Sequence, residues 1–207
     1  MIKIVDHPLA KVKLTFLRNR DTHFSLFRKS LQEISYLLAI NALNDLELTE
    51  LEIQTPLATA KGYEIKNKLL VVPILRAGLG LLPGFIDLVN TATVGLIGLK
   101  RDEDTLLPSK YYINIPKNLE NYVTIVLEPM IATGGSLRNA LNILVENKAS
   151  KIKVCSIIAY QKTITEIEND YPFVDFYVLA LDSELNEKGF IVPGLGDAGD
   201  RTFGTIY

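Results

Sequence analysis

The sequence predicts an α/β fold in which a mostly parallel sheet is flanked by helices. Short apolar runs rich in β-branched residues recur along the 207 residues, and their length is typical of buried strands. Stretches whose apolar residues lie three and four positions apart separate several of these runs, as in amphipathic helices. Strands that alternate with helices indicate a sheet covered on both faces, whose ligands bind beyond the carboxyl ends of the strands. The predicted strands are Leu69–Leu75, Thr93–Leu99, Tyr122–Leu127, Ile152–Ala159 and Val174–Leu181.

Three helices are predicted outside the apolar stretch at 69–89. Apolar side chains with helical spacing predict one from Phe24 to about Asn44, capped by Asp21 or Thr22. The other two are predicted over 137–145 and Thr163–Asn169. Because no repeat or linker-like change of composition interrupts the chain, we expect one domain, 1–207. Within it we expect an N-terminal helical arm at 1–50 and a glycine-rich tail at 183–207.

The composition excludes several classes of function. With 22 Lys+Arg against 24 Asp+Glu and a net charge of −2, the chain lacks the basic excess of nucleic-acid-binding proteins. A single cysteine excludes an internal disulfide and a cysteine-cluster metal site. Two histidines, His7 and His23, leave little room for a histidine-ligated metal or a catalytic triad. We therefore expect no nucleic-acid partner and no protein-held metal site.

The longest apolar stretch, residues 69–89, is not predicted to cross a membrane. It contains Arg76 and Asp87 as well as prolines and glycines, so it divides into a strand, a turn and a helix. The segment Met1–Lys13 carries several charges and lacks the apolar core of a signal peptide. We therefore expect a soluble cytoplasmic protein with no membrane partner.

The strongest chemical signal follows the third predicted strand. Glu128 ends that strand, and the loop then reaches Thr133-Gly134-Gly135-Ser136 directly before a helix. The glycines let backbone N–H groups turn inward, the hydroxyls add donors, and the helix N-terminus adds positive potential, which together can bind a phosphate. The carboxylate can accept hydrogen bonds from sugar hydroxyls of the same ligand. The alternative is an ordinary strand-to-helix turn in which glycine supplies backbone freedom.

Two arginines follow neighbouring predicted strands. Arg76 lies in a glycine-containing turn after the first strand, where its guanidinium can make a bidentate contact to a second phosphate group. It can equally pair with a neighbouring carboxylate. Arg101 belongs to the charged run Lys100–Thr105 after the second strand. Such a run is usually a solvated loop, but at a strand end it can also form a lid that closes over a polyanion.

The segment Gly189–Arg201 is rich in glycine and contains Asp197 and Asp200. Backbone amides and carbonyls that such a loop exposes can bind the edge of a small planar heterocycle without any side chain. The alternative is a plain cluster of turns.

Together these motifs resemble the uracil phosphoribosyltransferases, within the type I phosphoribosyltransferases. The resemblance covers nearly the whole chain, and Ala132–Ser136 combined with Gly194–Asp200 carries it most specifically. It also includes His7-Pro8-Leu9, Thr55-Pro56, Val72–Gly80, Arg101-Asp102-Glu103 and Leu185-Asn186-Glu187. The resemblance implies the type I phosphoribosyltransferase fold with a base-recognition tail.

The implied reaction is the transfer of 5-phosphoribose from 5-phosphoribosyl-1-diphosphate (PRPP) to N1 of uracil, which gives UMP and diphosphate. The resemblance implies that Arg76 and Arg101 would contact the diphosphate or its approach. Asp197 completes the candidate catalytic set, on the hypothesis that its carboxylate assists deprotonation of N1. The implied PRPP-binding residues are Arg76, Arg101, Glu128, Pro129, Met130, Ile131, Ala132, Thr133, Gly134, Gly135, Ser136 and Asp197. Uracil would be bound, largely by backbone, at Ile191, Gly196, Asp197 and Ala198. Mg²⁺ would be bound mainly through PRPP.

Two departures from the family pattern bear on function. The family usually has aspartate where this chain has Glu128, and Tyr160–Thr163 replaces the usual Ala-Pro-Glu-Gly, which can change a wall of the site or a subunit contact. These departures motivate one alternative, a non-catalytic regulator that senses PRPP or a nucleotide. A further alternative is a transferase for another pyrimidine base. The resemblance further implies a homo-oligomer, at least a dimer, and GTP as a candidate effector.

Overall fold

The computed structural model describes residues 1–101 and 108–205, with the backbone alone at residues 100, 101 and 108–111. The strands are β1 (Ile2–Ile4), β2 (Leu48–Gln54), β3 (Thr59–Ile65), β4 (Lys68–Leu75), β5 (Thr93–Val94), β6 (Leu96–Arg101), β7 (Pro108–Asn114), β8 (Tyr122–Leu127), β9 (Met130–Ile131), β10 (Lys151–Tyr160), β11 (Val174–Asp182), β12 (Glu184–Leu185) and β13 (Ile191–Val192). The helices are α1 (Pro8–Arg18), α2 (Phe24–Ala42), α3 (Leu82–Leu88), α4 (Gly135–Glu146), α5 (Gln161–Asp170) and α6 (Ala198–Phe203). A 3-10 turn, Ala77–Gly80, joins β4 to α3.

One mostly parallel sheet lies at the centre of the described part of the chain. Its strands follow the order β1-β11-β10-β8-β4-β6-β7. Neighbours in this order are parallel except for β6 and β7, which run antiparallel. The short strands β5 and β9 pair with β4 and β10. Outside this sheet, β2 and β3 form an antiparallel hairpin, and β12 and β13 form a smaller one.

Helices cover both faces of the sheet, as the sequence predicts. Alternate residues of β4 point to opposite faces: Leu69 and Val71 pack in one buried cluster with side chains of α1, α2 and α3. Leu70 and Val72 pack in the other cluster with side chains of α4 and α5. The predicted α/β fold is therefore confirmed.

The strand predictions are close to the observed strands. The prediction for β8 coincides with it, and those for β4, β10 and β11 differ by single residues at the ends. The predicted strand Thr93–Leu99 is instead divided into β5 and β6 at Gly95. The Gly95 N–H donates to the Val71 carbonyl at 2.9 Å, and β6 then continues alongside the end of β4.

The helix predicted from Phe24 does begin there, but the predicted caps, Asp21 and Thr22, are wrong. His23 caps α2, because its Nδ1 accepts the Ser25 N–H at 3.4 Å. His7 caps α1 in the same way. The segment 1–50 thus contains two helices, the start of the β2–β3 hairpin, and also β1, which joins the sheet beside β11.

The apolar stretch at 69–89 folds as β4, the 3-10 turn and α3, which agrees with the prediction of a strand, a turn and a helix. Within residues 1–101 and 108–205, no helix combines the length and the apolar character that a membrane crossing requires.

Candidate active site

The carboxyl ends of β4 and β8 bring the two strongest sequence motifs together. These strands are parallel neighbours, and Pro73 pairs in register with Leu127. Arg76 comes directly after β4, and Glu128 comes directly after β8. The turn that carries Arg76 therefore begins beside Glu128. A Cβ on Gly78 of this turn would lie only 2.4 Å from the Leu127 carbonyl oxygen. The close approach of two backbones requires glycine and fixes the turn against the end of β8.

The loop after β8 forms a cradle at the N-terminus of α4. A cavity of about 110 Å³ is lined by Glu128, Met130, Ile131, Ala132, Thr133, Gly134, Gly135, Ser136 and Leu137. Gly134 precedes the helix with a φ of 80°, a left-handed conformation that favours glycine. The first turn of α4 contains no acidic residue. Its N–H groups and the positive end of the helix dipole can therefore bind an anion, as the sequence predicts.

The cradle is braced from behind by β10 and α5. The predicted site residue Pro129 does not line the cavity; it is buried, and its carbonyl accepts the Ile157 N–H at 3.0 Å and the Ser156 hydroxyl at 3.2 Å. A Cβ on Gly134 would lie 2.7 Å from Cγ2 of Thr163. The unusual segment Tyr160–Thr163 thus forms part of the support for the cradle.

The carboxyl group of Glu128 is densely surrounded by protein atoms. Burial raises the pKa of Glu128 from 4.5 to about 8, although a hydrogen bond from the Met130 N–H opposes the shift. The surroundings of this carboxyl therefore favour its neutral form. A strongly shifted carboxyl beside an anion cradle is typical of a functional site.

Glu128 should make the free energy of unfolding fall as the pH rises. Between its ordinary pKa of 4.5 and its folded-state pKa of about 8, the folded chain holds a proton that the unfolded chain has released. The cost of burying this group therefore grows across that interval. We expect the urea midpoint to fall more between about pH 5 and about pH 8 in the unaltered chain than in Glu128→Gln. Parallel pH profiles for the two proteins would contradict this prediction.

Arg76 extends from the turn after β4 and pairs with the tail. Its exposed guanidinium donates from Nη2 to Asp200 Oδ1 at 2.8 Å, and the Thr205 hydroxyl donates to the same oxygen at 2.6 Å. These hydrogen bonds, chiefly the one from Thr205, lower the pKa of Asp200. The sequence predicted either a phosphate contact or a pairing with a carboxylate for Arg76, and the structure shows the pairing with a carboxylate. A guanidinium carries five N–H donors, so the pairing still leaves it able to contact an anion.

The tail folds as the small β12–β13 hairpin followed by α6. Ile191 is buried, and Gly194 and Gly196 adopt φ angles of 61° and 77°. Asp197 is exposed and caps α6, since its Oδ1 accepts the Asp200 N–H at 2.9 Å. Ala198 is fully buried in the first turn. The predicted base-binding residues thus lie in or next to irregular backbone, where amide and carbonyl groups can recognise a heterocycle.

The tail lies next to both other motifs. Asp200 of α6 pairs with Arg76, and a Cβ added to Gly189 would reach ordinary van der Waals distance, 3.4 Å, from Cγ2 of Thr133 in the cradle. The tail is therefore joined to the Arg76 turn by an ion pair and runs alongside the cradle. The backbone of Arg101 ends β6, beside β4. Its side chain and the rest of the predicted lid, 102–105, lie outside the described residues.

Sequence analysis did not single out the residues that hold the tail in place. Arg18 at the end of α1 pairs with buried Asp182 at the end of β11, and Nη1 of buried Arg201 donates to the Leu195 carbonyl at 2.7 Å. No local pattern marks Arg18 or Asp182, because their partners lie far away in the sequence. Arg201 does belong to the glycine-rich segment, but nothing around it predicts its burial.

Comparison with known proteins agrees with this geometry. A family model described as Uracil phosphoribosyltransferase matches residues 4–205. A uracil phosphoribosyltransferase of Ureaplasma urealyticum serovar 10 is 48% identical over 206 residues, which cover 99% of this chain and 100% of that protein. The solved structure of the AQ2163 protein from Aquifex aeolicus matches with a TM-score of 0.94 and 38% identity, covering 100% of both chains.

A more distant structural match concerns the fold alone. A hypoxanthine-guanine phosphoribosyltransferase from Bacillus anthracis matches with a TM-score of 0.51 and 18% identity, covering 77% of this chain and 80% of that one. The predicted type I phosphoribosyltransferase fold is confirmed by this similarity. With the family match across residues 4–205 and near-complete coverage of the Ureaplasma relative, the chain belongs to the uracil phosphoribosyltransferase family.

Proposed function

We propose that this chain transfers 5-phosphoribose from PRPP to N1 of uracil and releases UMP and diphosphate. Membership of the family supports the reaction. The observation that carries the proposal is the convergence of three motifs at one edge of the sheet: the cradle before α4, the Arg76 turn, and the glycine-rich tail. A phosphate, a diphosphate and a planar base require three such surfaces side by side. No observation favours a sensor that binds PRPP without turnover.

The proposed roles follow from charge and position. The N–H groups of the cradle bind the 5-phosphate, and Glu128 contacts the ribose hydroxyls. Arg76 and Arg101 bind the diphosphate. Backbone groups at Ile191, Gly196, Asp197 and Ala198 orient uracil so that N1 faces C1 of the ribose. Pro129 acts indirectly, since its buried carbonyl ties the loop to β10.

The reaction needs charge stabilisation and orientation more than an activated nucleophile. As the bond from C1 to the diphosphate oxygen breaks, the ribose becomes cationic and the diphosphate takes the electron pair. N1 of uracil then bonds to C1 and loses its proton. Fixed guanidinium and N–H groups stabilise the leaving diphosphate, and the tail holds the base within reach. Because such a reaction needs no activated nucleophile, it can be catalysed by a chain with few histidines.

Magnesium is proposed to arrive with PRPP. Mg²⁺ binds substrate phosphates and waters in preference to cages made only of protein ligands. In the ranges 1–101 and 108–205, no three His, Cys, Asp or Glu side chains are grouped so that they could hold a metal ion. A metal held mainly by diphosphate oxygens and waters is compatible with that donor set. When bound, it would offset the charge of the leaving diphosphate.

Asp197 is proposed to accept the proton from N1. Asp197→Asn is a suitable test because asparagine caps helices as well as aspartate does, so α6 should keep its cap while the charge is removed. We expect a kcat about tenfold or more below that of the unaltered chain, and a changed pH–rate profile. Unchanged turnover with an unchanged pH profile would exclude this role.

A base-selectivity assay tests the proposed function directly. The protein is incubated with PRPP and Mg²⁺ and, in separate reactions, with uracil, cytosine, hypoxanthine or orotate, and the nucleotide product is followed. We expect UMP from uracil and little product from the other bases. Product from a different pyrimidine would reassign the substrate, and PRPP binding without product from any base would favour a sensor.

We also propose a homo-oligomer, at least a dimer. The β2–β3 hairpin lies outside the central sheet and exposes Leu48, Ile53, Leu57 and Tyr63, with Leu57 97% exposed. By the register of the hairpin, Leu48 and Tyr63 lie on one face and Ile53 on the other, so both faces offer apolar surface to a second copy. The single domain 1–207, the cytoplasmic location and the response to GTP stay predictions.

A further inference from the structure

We infer that Arg18, Asp182 and Arg201 are positioning residues for the base: they hold the tail in the conformation that recognises uracil, without contacting uracil themselves. The inference rests on the proposed function, in which the tail binds the base. Backbone groups that bind a base cannot correct their position by changing a rotamer. Their positions must therefore be set by whatever the tail packs against.

The first anchor is a bidentate ion pair between α1 and the end of β11. Arg18 donates from Nη1 to Asp182 Oδ2 at 2.8 Å and from Nη2 to Asp182 Oδ1 at 2.7 Å. The Asp182 side chain is only 6% exposed. Two parallel charge-assisted hydrogen bonds between planar groups fix orientation as well as distance. The pair therefore forms a rigid support at the carboxyl edge of the sheet.

The same pair binds both polar backbone groups of Gly194. The Gly194 N–H donates to Asp182 Oδ2 at 3.1 Å, and the Gly194 carbonyl accepts from Arg18 Nη1 at 3.0 Å. Position 194 requires glycine, because its φ is 61° and a Cβ there would lie 2.0 Å from the Ile191 carbonyl oxygen. Since glycine restricts its own backbone little, the two hydrogen bonds fix the turn. The turn lies between Ile191 and Gly196, two of the proposed uracil contacts. Its conformation thus sets the distance between those contacts.

The second anchor is Arg201, whose side chain extends from the tail to the end of α1. From α6 its guanidinium donates to the Leu195 carbonyl at 2.7 Å, to the Asn19 carbonyl at 2.6 Å and to the Leu17 carbonyl. The guanidinium also lies 4.3 Å from the centre of the Phe27 ring. Consecutive carbonyls of the tail, at Gly194 and Leu195, are therefore each held by an arginine.

The two anchors make the N-terminal helices the support of the base-binding surface. Arg18 and Asp182 are 164 positions apart, and Arg201 and Leu17 are 184 apart. Neither anchor includes a residue of the cradle or the Arg76 turn. The tail residue predicted to bind PRPP, Asp197, caps α6 and is not held by the Arg18 anchor, which binds Gly194. A defect in the Arg18 anchor should therefore reduce uracil recognition and leave PRPP recognition nearly intact. A general loss of stability would affect both substrates.

The test is steady-state kinetics of Arg18→Lys, which keeps the positive charge but cannot make the bidentate contact and hold the Gly194 carbonyl together. We expect kcat/KM for uracil to fall by about tenfold to a hundredfold, mainly through KM. The KM for PRPP should stay within about twofold of that of the unaltered chain. Arg20→Lys is the matched control, because Arg20 lies two positions along and its side chain is 93% exposed.

A second variant guards against misfolding. Asp182→Asn replaces one of the two carboxylate oxygens by an NH₂ group and removes the negative charge. The side chain keeps its size, so the anchor is weakened but no cavity is left. If Arg18→Lys does not fold, the same selective rise in the KM for uracil is expected from Asp182→Asn. An equal rise in both KM values, or no change in a folded variant of either kind, would overturn the inference. Absence of UMP formation by the unaltered chain would instead overturn the proposed function.

Discussion

Replacing Arg76 with alanine should lower kcat/KM for PRPP by about a hundredfold or more. The proposed role of Arg76 is to stabilise the leaving diphosphate, and removing one fixed donor from such a position usually has an effect of this size. Its contribution to folding should be small, because the guanidinium is exposed and its ion pair with Asp200 lies near the surface. The change should therefore separate activity from stability. Initial rates at varied PRPP concentration and a thermal melt of the same sample measure both quantities.

Arg76→Lys and Asp200→Asn serve as comparisons. Lysine keeps the charge but not the fork of donors, so Arg76→Lys should recover only part of the activity. Asp200→Asn removes the charge that pairs with Arg76. If Asp200 only orients Arg76, this variant should lose far less activity than Arg76→Ala. An Arg76→Ala variant with a normal kcat/KM for PRPP would contradict the proposed role.

The second large effect is expected from Gly78→Ala. A Cβ at position 78 would lie 2.4 Å from the Leu127 carbonyl oxygen and 3.0 Å from Pro73 Cα, and both are backbone atoms that cannot rotate away. We expect the variant to be destabilised by about 1–3 kcal/mol and to lose activity, because the turn carrying Arg76 must move away from β8. Urea unfolding and the kcat/KM for PRPP measure the two effects.

Gly80→Ala is the matched control for this prediction. It makes the same substitution in the same turn, but the nearest atom to its Cβ is the tip of the Leu31 side chain, at 2.9 Å. A flexible side chain can shift, so this variant should be less destabilised and should keep most of its activity. Equal losses in Gly78→Ala and Gly80→Ala would show that the contact with Leu127 does not set the geometry of the turn.

The strands and the cradle could be predicted because their signals are local. Each buried run in the sheet is apolar on both faces, and the prediction for β8 coincides with the observed strand. The cradle could be predicted because its glycines, its hydroxyl side chains and the first residue of α4 are adjacent in the sequence. The division of the predicted strand Thr93–Leu99 at Gly95 was not predictable, since it depends on a hydrogen bond to β4.

The cap of α2 was missed for a local reason: histidine is a rare helix cap, so the sequence favoured Asp21 or Thr22 over His23. Parts of the site escaped prediction because they depend on contacts between distant residues. The pairing of Arg76 with Asp200 joins residues 124 positions apart. The raised pKa of Glu128 comes from packing that no motif encodes. The pairing of Arg18 with Asp182, which anchors the tail, was likewise not predictable, because no sequence pattern links these two distant charged residues.

The distance along the chain between the tail and its anchors has a consequence for synthesis. Arg18 and Asp182 leave the ribosome before Gly194 does, and the whole cradle precedes the tail as well. The surface that binds the base is therefore completed after the residues that anchor it. The N-terminal helices must then keep their anchoring groups available until the tail arrives.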